Sequence, residues 1–208
     1  YSAHNMTVVV AGNVHIESMT NEIEKYFGDV DRFTTKKFIP VKEHQAKTLV
    51  SLKHKKTEQA HFSLGVRTVG LMDKKERYPL ELLSSILGGG MSSRLFYEIR
   101  EKRGLSYYVR TTSDHYSDAG YLSTWVGADP KRIDEAIKVV VEEYVKVAQK
   151  GEITEEELKK AKEYTKGHFV LELEDTRSAA VMYASQEILQ KELHNPHEII
   201  EKIEKVTI

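Results

Sequence analysis

Residues 87–108 read Leu-Gly-Gly-Gly-Met-Ser-Ser-Arg-Leu-Phe-Tyr-Glu-Ile-Arg-Glu-Lys-Arg-Gly-Leu-Ser-Tyr-Tyr, and their reading decides the fold. Gly88, Gly89 and Gly90 admit positive φ and close backbone approach, so they stop the helix that precedes them. Ser92 or Ser93 is placed to accept from the free N–H groups that open the next helix. That helix turns Leu95, Phe96 and Ile99 inward and carries Arg94, Glu98 and Arg100 elsewhere on its surface. Gly104 ends it, and Leu105 to Thr111 reads as a strand rich in aromatic and β-branched residues. The turn brings Arg100, in the last helical turn, near Tyr107, just past the bend at the rim of a sheet.

Working outward, Gln59 to Val66 alternates as a strand does, and so does Thr48 to His54. Glu76 to Leu87 is predicted helical, with Leu80, Leu83, Ile86 and Leu87 inward and Pro79 in its first turn. Downstream, Ser106 to His115 and Gly120 to Ala128 form two antiparallel strands joined by Ser117-Asp118-Ala119-Gly120. Asp129-Pro130 opens a long helix with Ile133, Ile137, Val140, Val141, Tyr144 and Val147 as its stripe, and Gly151 stops it. Thr154-Glu155-Glu156-Glu157 is a capping box for a second long helix, through Leu158, Ala161, Tyr164 and Phe169 to about Leu173. Asp175-Thr176 starts a third helix, and Pro196 opens a last short one. The order β-β-α-α-β-β-α-α-α predicts an α+β fold, an antiparallel sheet with helices packed on one face.

The amino-terminal part reads differently. Met6 to Ala11 is a short apolar run closed by Gly12-Asn13, predicted as a buried strand. A helix from Ile16 to Phe27 follows, with Met19, Ile23, Tyr26 and Phe27 on one face, and Gly28 ends it. Residues 33–47 lack apolar periodicity and carry Pro40 and several Lys, as a linker does. The predicted domains are therefore residues 1–32, the end of a preceding domain; 33–47, a linker; and 48–208, a second α+β domain that is incomplete at its C-terminus. The chain begins at Tyr1 without an initiator Met and is read as a piece of a longer polypeptide.

Composition narrows the function classes. The 208 residues hold 31 Lys+Arg against 32 Asp+Glu, a formal net charge of −1. Such a balance gives no reason to expect nucleic acid or an anionic membrane as partner. No apolar run approaches the roughly 20 residues that span a bilayer. The absence of Cys removes disulfides, cysteine–zinc sites and thiol nucleophiles, and is compatible with the cytoplasm, the compartment expected.

The run from Ile86 to Tyr107, Ile-Leu-Gly-Gly-Gly-Met-Ser-Ser-Arg-Leu-Phe-Tyr-Glu-Ile-Arg-Glu-Lys-Arg-Gly-Leu-Ser-Tyr, resembles the second-domain signature of pitrilysin/insulinase-type zinc peptidases. It is most similar to the short bacterial members that resemble mitochondrial processing peptidase. Asn5 to Val14, with the helix ending Tyr26-Phe27-Gly28, resembles the close of that family's first domain. The resemblance implies the second domain of a two-domain chain, in a zinc metalloendopeptidase that encloses peptides or unfolded segments in a chamber. It also implies pairing into homodimers or heterodimers. Some relatives keep the fold without the zinc motif and serve as substrate-binding or scaffolding subunits, which is the alternative function.

The candidate residues follow. The family's His-x-x-Glu-His zinc helix is absent, so zinc is expected in the full-length protein and on ligands outside this chain. The nearest run, His194-Asn195-Pro196-His197-Glu198, has its Glu after the second His and a Pro that breaks the turn, and it reads as a helix start. The other seven of the nine His residues show no paired ligand spacing. Arg100 and Tyr107, read as residues alone, are either a solvated helix-end Arg and an ordinary strand Tyr or two donors for a peptide carbonyl or oxyanion. The resemblance, through Arg…Gly-Leu-x-Tyr, implies the second role, with Tyr107 rather than Tyr108 aligned. Gly88, Gly89 and Gly90 lack the Gly-Lys-Ser/Thr of a phosphate loop. They read as a hinge, and the resemblance adds a minor contact with substrate.

Overall fold

The computed structural model describes residues 1–73 and 75–208. The chain divides into two compact units, Tyr1–Pro40 with Gly167–Ile200, and Val41–Lys166 with Glu201–Ile208.

The larger unit is built on a three-stranded antiparallel sheet. Its strands are β1 (Ala60–Thr68), β2 (Ser106–His115) and β3 (Gly120–Ala128), in the order β1-β3-β2. The last two strands have the bounds that their alternation and the Ser117–Gly120 turn predict. Side chains alternate across a strand, so residues paired in register share a face. One face presents Phe62, Leu64 and Val66 from β1 with Val126, Thr124 and Leu122 from β3, and Val109 and Thr111 from β2. That face is covered by α2 (Arg77–Gly88), the segment 96–101 and α3 (Ile133–Lys150). The core joins Leu87, Leu95, Ile99 and Leu105 to Leu122, Val126, Ala136 and Val140, all buried.

Three glycines shape the covered side. None of Gly88, Gly89 and Gly90 takes positive φ, contrary to expectation; their role is close approach. A Cβ on Gly88 would lie 2.7 Å from the Thr111 nitrogen and 2.9 Å from its Cβ, so α2 ends pressed against β2. A Cβ on Gly90 would meet the Tyr164 ring at 3.0 Å. Gly104, at φ 57°, does require the left-handed conformation and turns the chain into β2.

Several expectations are corrected. Residues 48–54 form no strand: Leu49, Val50 and Leu52 are 71%, 90% and 93% exposed. Residues 6–11 form none either, and Val8 and Val10 are exposed. A strand needs a hydrogen-bonded neighbour, and among the described residues the three strands form one sheet that includes neither stretch. The helix after the glycines is regular only at Arg94 and Leu95, then widens into a π-helical turn, Phe96–Glu101. Ser93 does not cap it; its Oγ donates to the Gly90 carbonyl at 2.6 Å. The buried stripe of α3 runs through Ala136, Val139, Val140 and Glu143, while Ile137 and Val141 are exposed. On α3 the periodicity fits both stripes, and the sheet's position selects one.

Helix ends follow the chemistry of their caps. Gly151 closes α3 at φ 57°. α4 (Glu155–Glu172) opens on a reciprocal box in which the Thr154 amide donates to Glu157 at 2.9 Å and the Glu157 amide to Thr154 Oγ1 at 3.2 Å.

In the smaller unit, Ser2 is fully buried; its Oγ donates to the Phe33 carbonyl at 2.7 Å and accepts from the Phe33 amide at 3.0 Å. α1 (Ile16–Phe27) half-buries Met19 and Ile23 but exposes Tyr26 and Phe27. α5 (Thr176–Ser185) is capped by Asp175, and α6 (Pro196–Glu204) opens on a box between Asn195 and Glu198.

Gly88→Ala is predicted to destabilise the protein by about 1–3 kcal/mol, because the methyl meets backbone that cannot move aside. Urea unfolding measures it. An unchanged midpoint would show that α2 does not depend on this approach.

Candidate functional site

The sheet face turned away from the helices carries polar and aromatic side chains in four cross-strand rows. From the Gly104 end these are His61, Gly127 and Tyr108; Ser63, Trp125 and Arg110; Gly65, Ser123 and Thr112; and Arg67, Tyr121 and Asp114. Gly127 makes room for the His61 ring, which a Cβ there would meet at 2.9 Å. No described helix covers this face within the larger unit, and Tyr108, Arg110 and Trp125 are exposed.

Tyr107 stands at the end of this face because of a bulge. Register slips between Ser106, opposite Ala128, and Tyr108, opposite Gly127, so Tyr107 has no partner across the pair. Buried Ser106 pins the bulge: its Oγ accepts from the Tyr108 amide at 3.0 Å and lies 2.6 Å from the Tyr108 carbonyl. The result is a phenol 85% exposed. Arg100 sits in the last residues of the π-helical turn, its guanidinium 4.9 Å from the Phe96 ring centroid and its Nε 3.9 Å from a Glu101 carboxylate oxygen. Its side chain is 43% exposed. Arg100 and Tyr107 flank the same Gly104 turn, and no hydrogen bond joins them among the described residues. Both are presented outward, with donor hydrogens available to a ligand.

The turn that carries Arg100 is anchored by a residue that sequence reading left on the surface. Arg94 is largely buried and donates from Nε to Glu157 Oε1 at 2.6 Å and from Nη2 to Glu157 Oε2 at 2.8 Å. It also donates to the Glu152 carbonyl and lies 3.8 Å from buried Glu143, which Lys146 holds at 2.6 Å. A fork-to-fork pair of this kind fixes geometry as well as charge. The Arg94 hydrogen bonds, with the Thr154 cap, hold the Glu157 carboxyl down at about 2. Tyr164, about two turns further along the same face of α4, donates to the Gly89 carbonyl. Thus α4 grips the glycine loop and the helix start together.

A metal centre does not fit the described residues. No group of three or more His, Asp or Glu side chains comes together among them. His194 lies 3.6 Å from Glu192 and 3.8 Å from Glu198, beside the start of α6. Trp125 escaped sequence reading as a site residue; its signal was a single tryptophan on the polar-face parity of β3. No helix among the described residues is long and apolar enough to cross a membrane.

A sheet covered on one face, with a glycine loop and a bulged strand at its end, makes this an α+β domain. The chain belongs to the peptidase M16 family: the family described as the peptidase M16 inactive domain matches residues 1–165. It is similar to an uncharacterized zinc protease of Mycobacterium leprae, 34% identical over all of this chain and 47% of the relative. An uncharacterized zinc protease of Bacillus subtilis is 32% identical, over all of this chain and 50% of the relative. The chain therefore spans about half the length of the curated relatives it matches. Among solved structures, a protease from Helicobacter pylori shares the fold at TM-score 0.74 and 22% identity, over 95% of this chain and 48% of that one. A chain of complex III from Candida albicans does so at TM-score 0.80 and 18% identity, over 94% and 48%.

The Glu157 pair gives a pH dependence. Its carboxyl titrates lower in the folded chain than in the unfolded one, so its contribution is complete above the unfolded value near 4.5 and is lost as pH falls toward about 2. Glu157→Gln is predicted to cost about 2–3 kcal/mol at pH 7, with the difference from the parent shrinking below pH ~4.5. Denaturant midpoints across pH measure this; a difference that is constant down to pH ~2.5 would contradict it.

Proposed function

We propose that this chain is the peptide-handling half of a zinc-dependent metalloendopeptidase of the processing-peptidase kind. Its polar sheet face receives an extended segment of substrate, and zinc is held by ligands outside this chain. Arg100 and Tyr107 hold the substrate carbonyl and support the oxyanion that develops on it, and the loop at Gly88, Gly89 and Gly90 borders the same segment. A second, related chain or a second copy completes the enclosure, in the cytoplasm.

The observation that carries this reading is the bulge. It lifts an otherwise ordinary strand tyrosine out of the sheet at the end of its open face, beside the turn that presents Arg100. Membership of a peptidase family and relatives named zinc proteases support it. A second reading, a substrate-binding or scaffolding subunit that does not cut, is favoured by one observation: the family that matches residues 1–165 is described as an inactive domain.

The test is cleavage of an unstructured peptide by the whole protein, with zinc and with chelator. Arg100→Ala combined with Tyr107→Phe is predicted to lower kcat/KM at least about tenfold, roughly 1.4 kcal/mol of transition-state stabilisation. Binding without cleavage would establish the second reading. Chelator-sensitive cleavage that ignores both substitutions would remove this pair from the site.

A further inference from the structure

The β1–β3 side of the open sheet face holds a groove that the Arg100 and Tyr107 roles leave unused. Residues 41–49 run along it as a strap fastened at two points. The Val41 amide donates to Asp118 Oδ2 at 2.8 Å, and the Arg67 guanidinium donates to the Glu43 carboxylate and, at 3.1 Å, to the Gln45 carbonyl. Strap and sheet border about 720 Å³ of largely open space. That volume falls in the range of small-molecule pockets, about 300–1,000 Å³, spread along an open groove.

The lining is graded. Ser63, Gly65 and Ser123 make a floor of small residues, and Tyr121 and Trp125 rise from β3 at its two ends. The Trp125 indole N–H is already satisfied by Ser123 Oγ at 3.0 Å, and the residue is 48% exposed. What it offers a ligand is therefore a ring face. Arg110 lies directly opposite Trp125 across the β2–β3 pair, on the same face, and it is exposed. Among the described residues no carboxylate pairs with Arg110. Two acids of this side are committed elsewhere, Glu43 of the strap to Arg67 and Asp114 of β2 to Thr112. The groove's own lining carries two cations, Lys47 of the strap and Arg67, the latter paired with Glu43, and Arg110 stands beside it across β3. A flat apolar surface beside an uncompensated guanidinium complements an aromatic ring next to a carboxylate.

We propose that this groove, with Arg110 beside it, is a selectivity site for extended polypeptide carrying an aromatic residue with an acidic residue two positions from it, the ring on Trp125 and the carboxylate on Arg110. In an extended chain, residues two apart face the same way and lie about 6–7 Å from each other, which suits the two neighbouring side chains. Arg110 is three residues along β2 from Tyr107, about 10 Å, so one extended segment reaches both. The inference rests on the peptide-handling reading and names which peptides that face prefers.

The experiment is anisotropy of fluorescein-labelled ten-residue Gly/Ser peptides titrated with the whole protein in chelator. One peptide contains Phe-Ser-Glu, one Phe-Ser-Lys and one Ala-Ser-Lys. The expected order is Phe-Ser-Glu tightest, by about tenfold or more over Ala-Ser-Lys. Trp125→Ala abolishes the advantage of Phe, while Trp125→Phe retains most of it. Arg110→Glu reverses the order of the Glu and Lys peptides, and Arg110→Lys restores it in part. Circular dichroism establishes that each variant is folded. Equal affinity for all three peptides, or a preference untouched by Trp125→Ala and Arg110→Glu, would overturn the groove and leave the peptide-handling reading standing. A wild-type protein that neither binds nor cuts any unstructured peptide would overturn both.

Discussion

The larger unit depends on how closely the end of α2 lies on β2. Gly88 leaves no room for a side chain over Thr111, and with that distance fixed Leu82, Ile86 and Leu87 are buried. Thr111 then serves a second purpose: its hydroxyl meets Thr124 Oγ1 at 2.8 Å, and Thr124 meets the Tyr144 hydroxyl at 3.0 Å. This chain of hydroxyls crosses from β2 through β3 to α3. Burial pushes the Tyr144 phenol up from its ordinary range, so it stays neutral and keeps its hydrogen for the network. One face of the sheet is thereby sealed, and the side chains able to meet a ligand fall on the other.

A second constraint sets where Arg100 and Tyr107 stand, at the end of the sheet. The helix start after the glycine loop is tied to α4 by Arg94 and Glu157 and to the buried end of Glu143 on α3. Charges this far from water are costly unless each is matched. Here Arg94 is shared between two carboxylates and a carbonyl, and Lys146 covers Glu143. With its base fixed, the following turn widens by one residue, a feature frequent near functional positions. It ends at Glu101, and Gly104 then turns the chain toward the bulge at Tyr107. Arg100 and Tyr107 are thus exposed side chains on either side of an anchored turn, and the proposed contact with substrate rests on that placement.

Much of this was legible in the sequence, and the failures have physical causes. β2 and β3 could be read to the residue because alternation, the turn at Ser117–Gly120 and Asp129-Pro130 all agree. Caps at Thr154, Asp175 and Gly151 were legible because they act within one turn of chain. Residues 6–11 and 48–54 carry strand patterning but find no hydrogen-bonded neighbour in the sheet described, and pattern alone cannot supply one. Arg94 reads as a surface residue on its own helix; its partners Glu143 and Glu157 lie far along the chain, so its burial is a tertiary fact. Trp125 is invisible as a site residue until the register places it beside Arg110 and over small neighbours. Arg100 and Tyr107 became candidates through a motif, whereas the bulge that exposes Tyr107 leaves no mark in Ser106-Tyr107-Tyr108.

The central claim is that peptide meets this domain on its helix-free sheet face. Amide hydrogen exchange of the whole protein, chelated and saturated with an unstructured peptide, tests it most directly. Added protection is expected in residues 45–49, 60–68 and 106–110, with α2 and α3 unchanged. Protection confined to the outer surfaces of α2 and α3, with those strands unaffected, would contradict it.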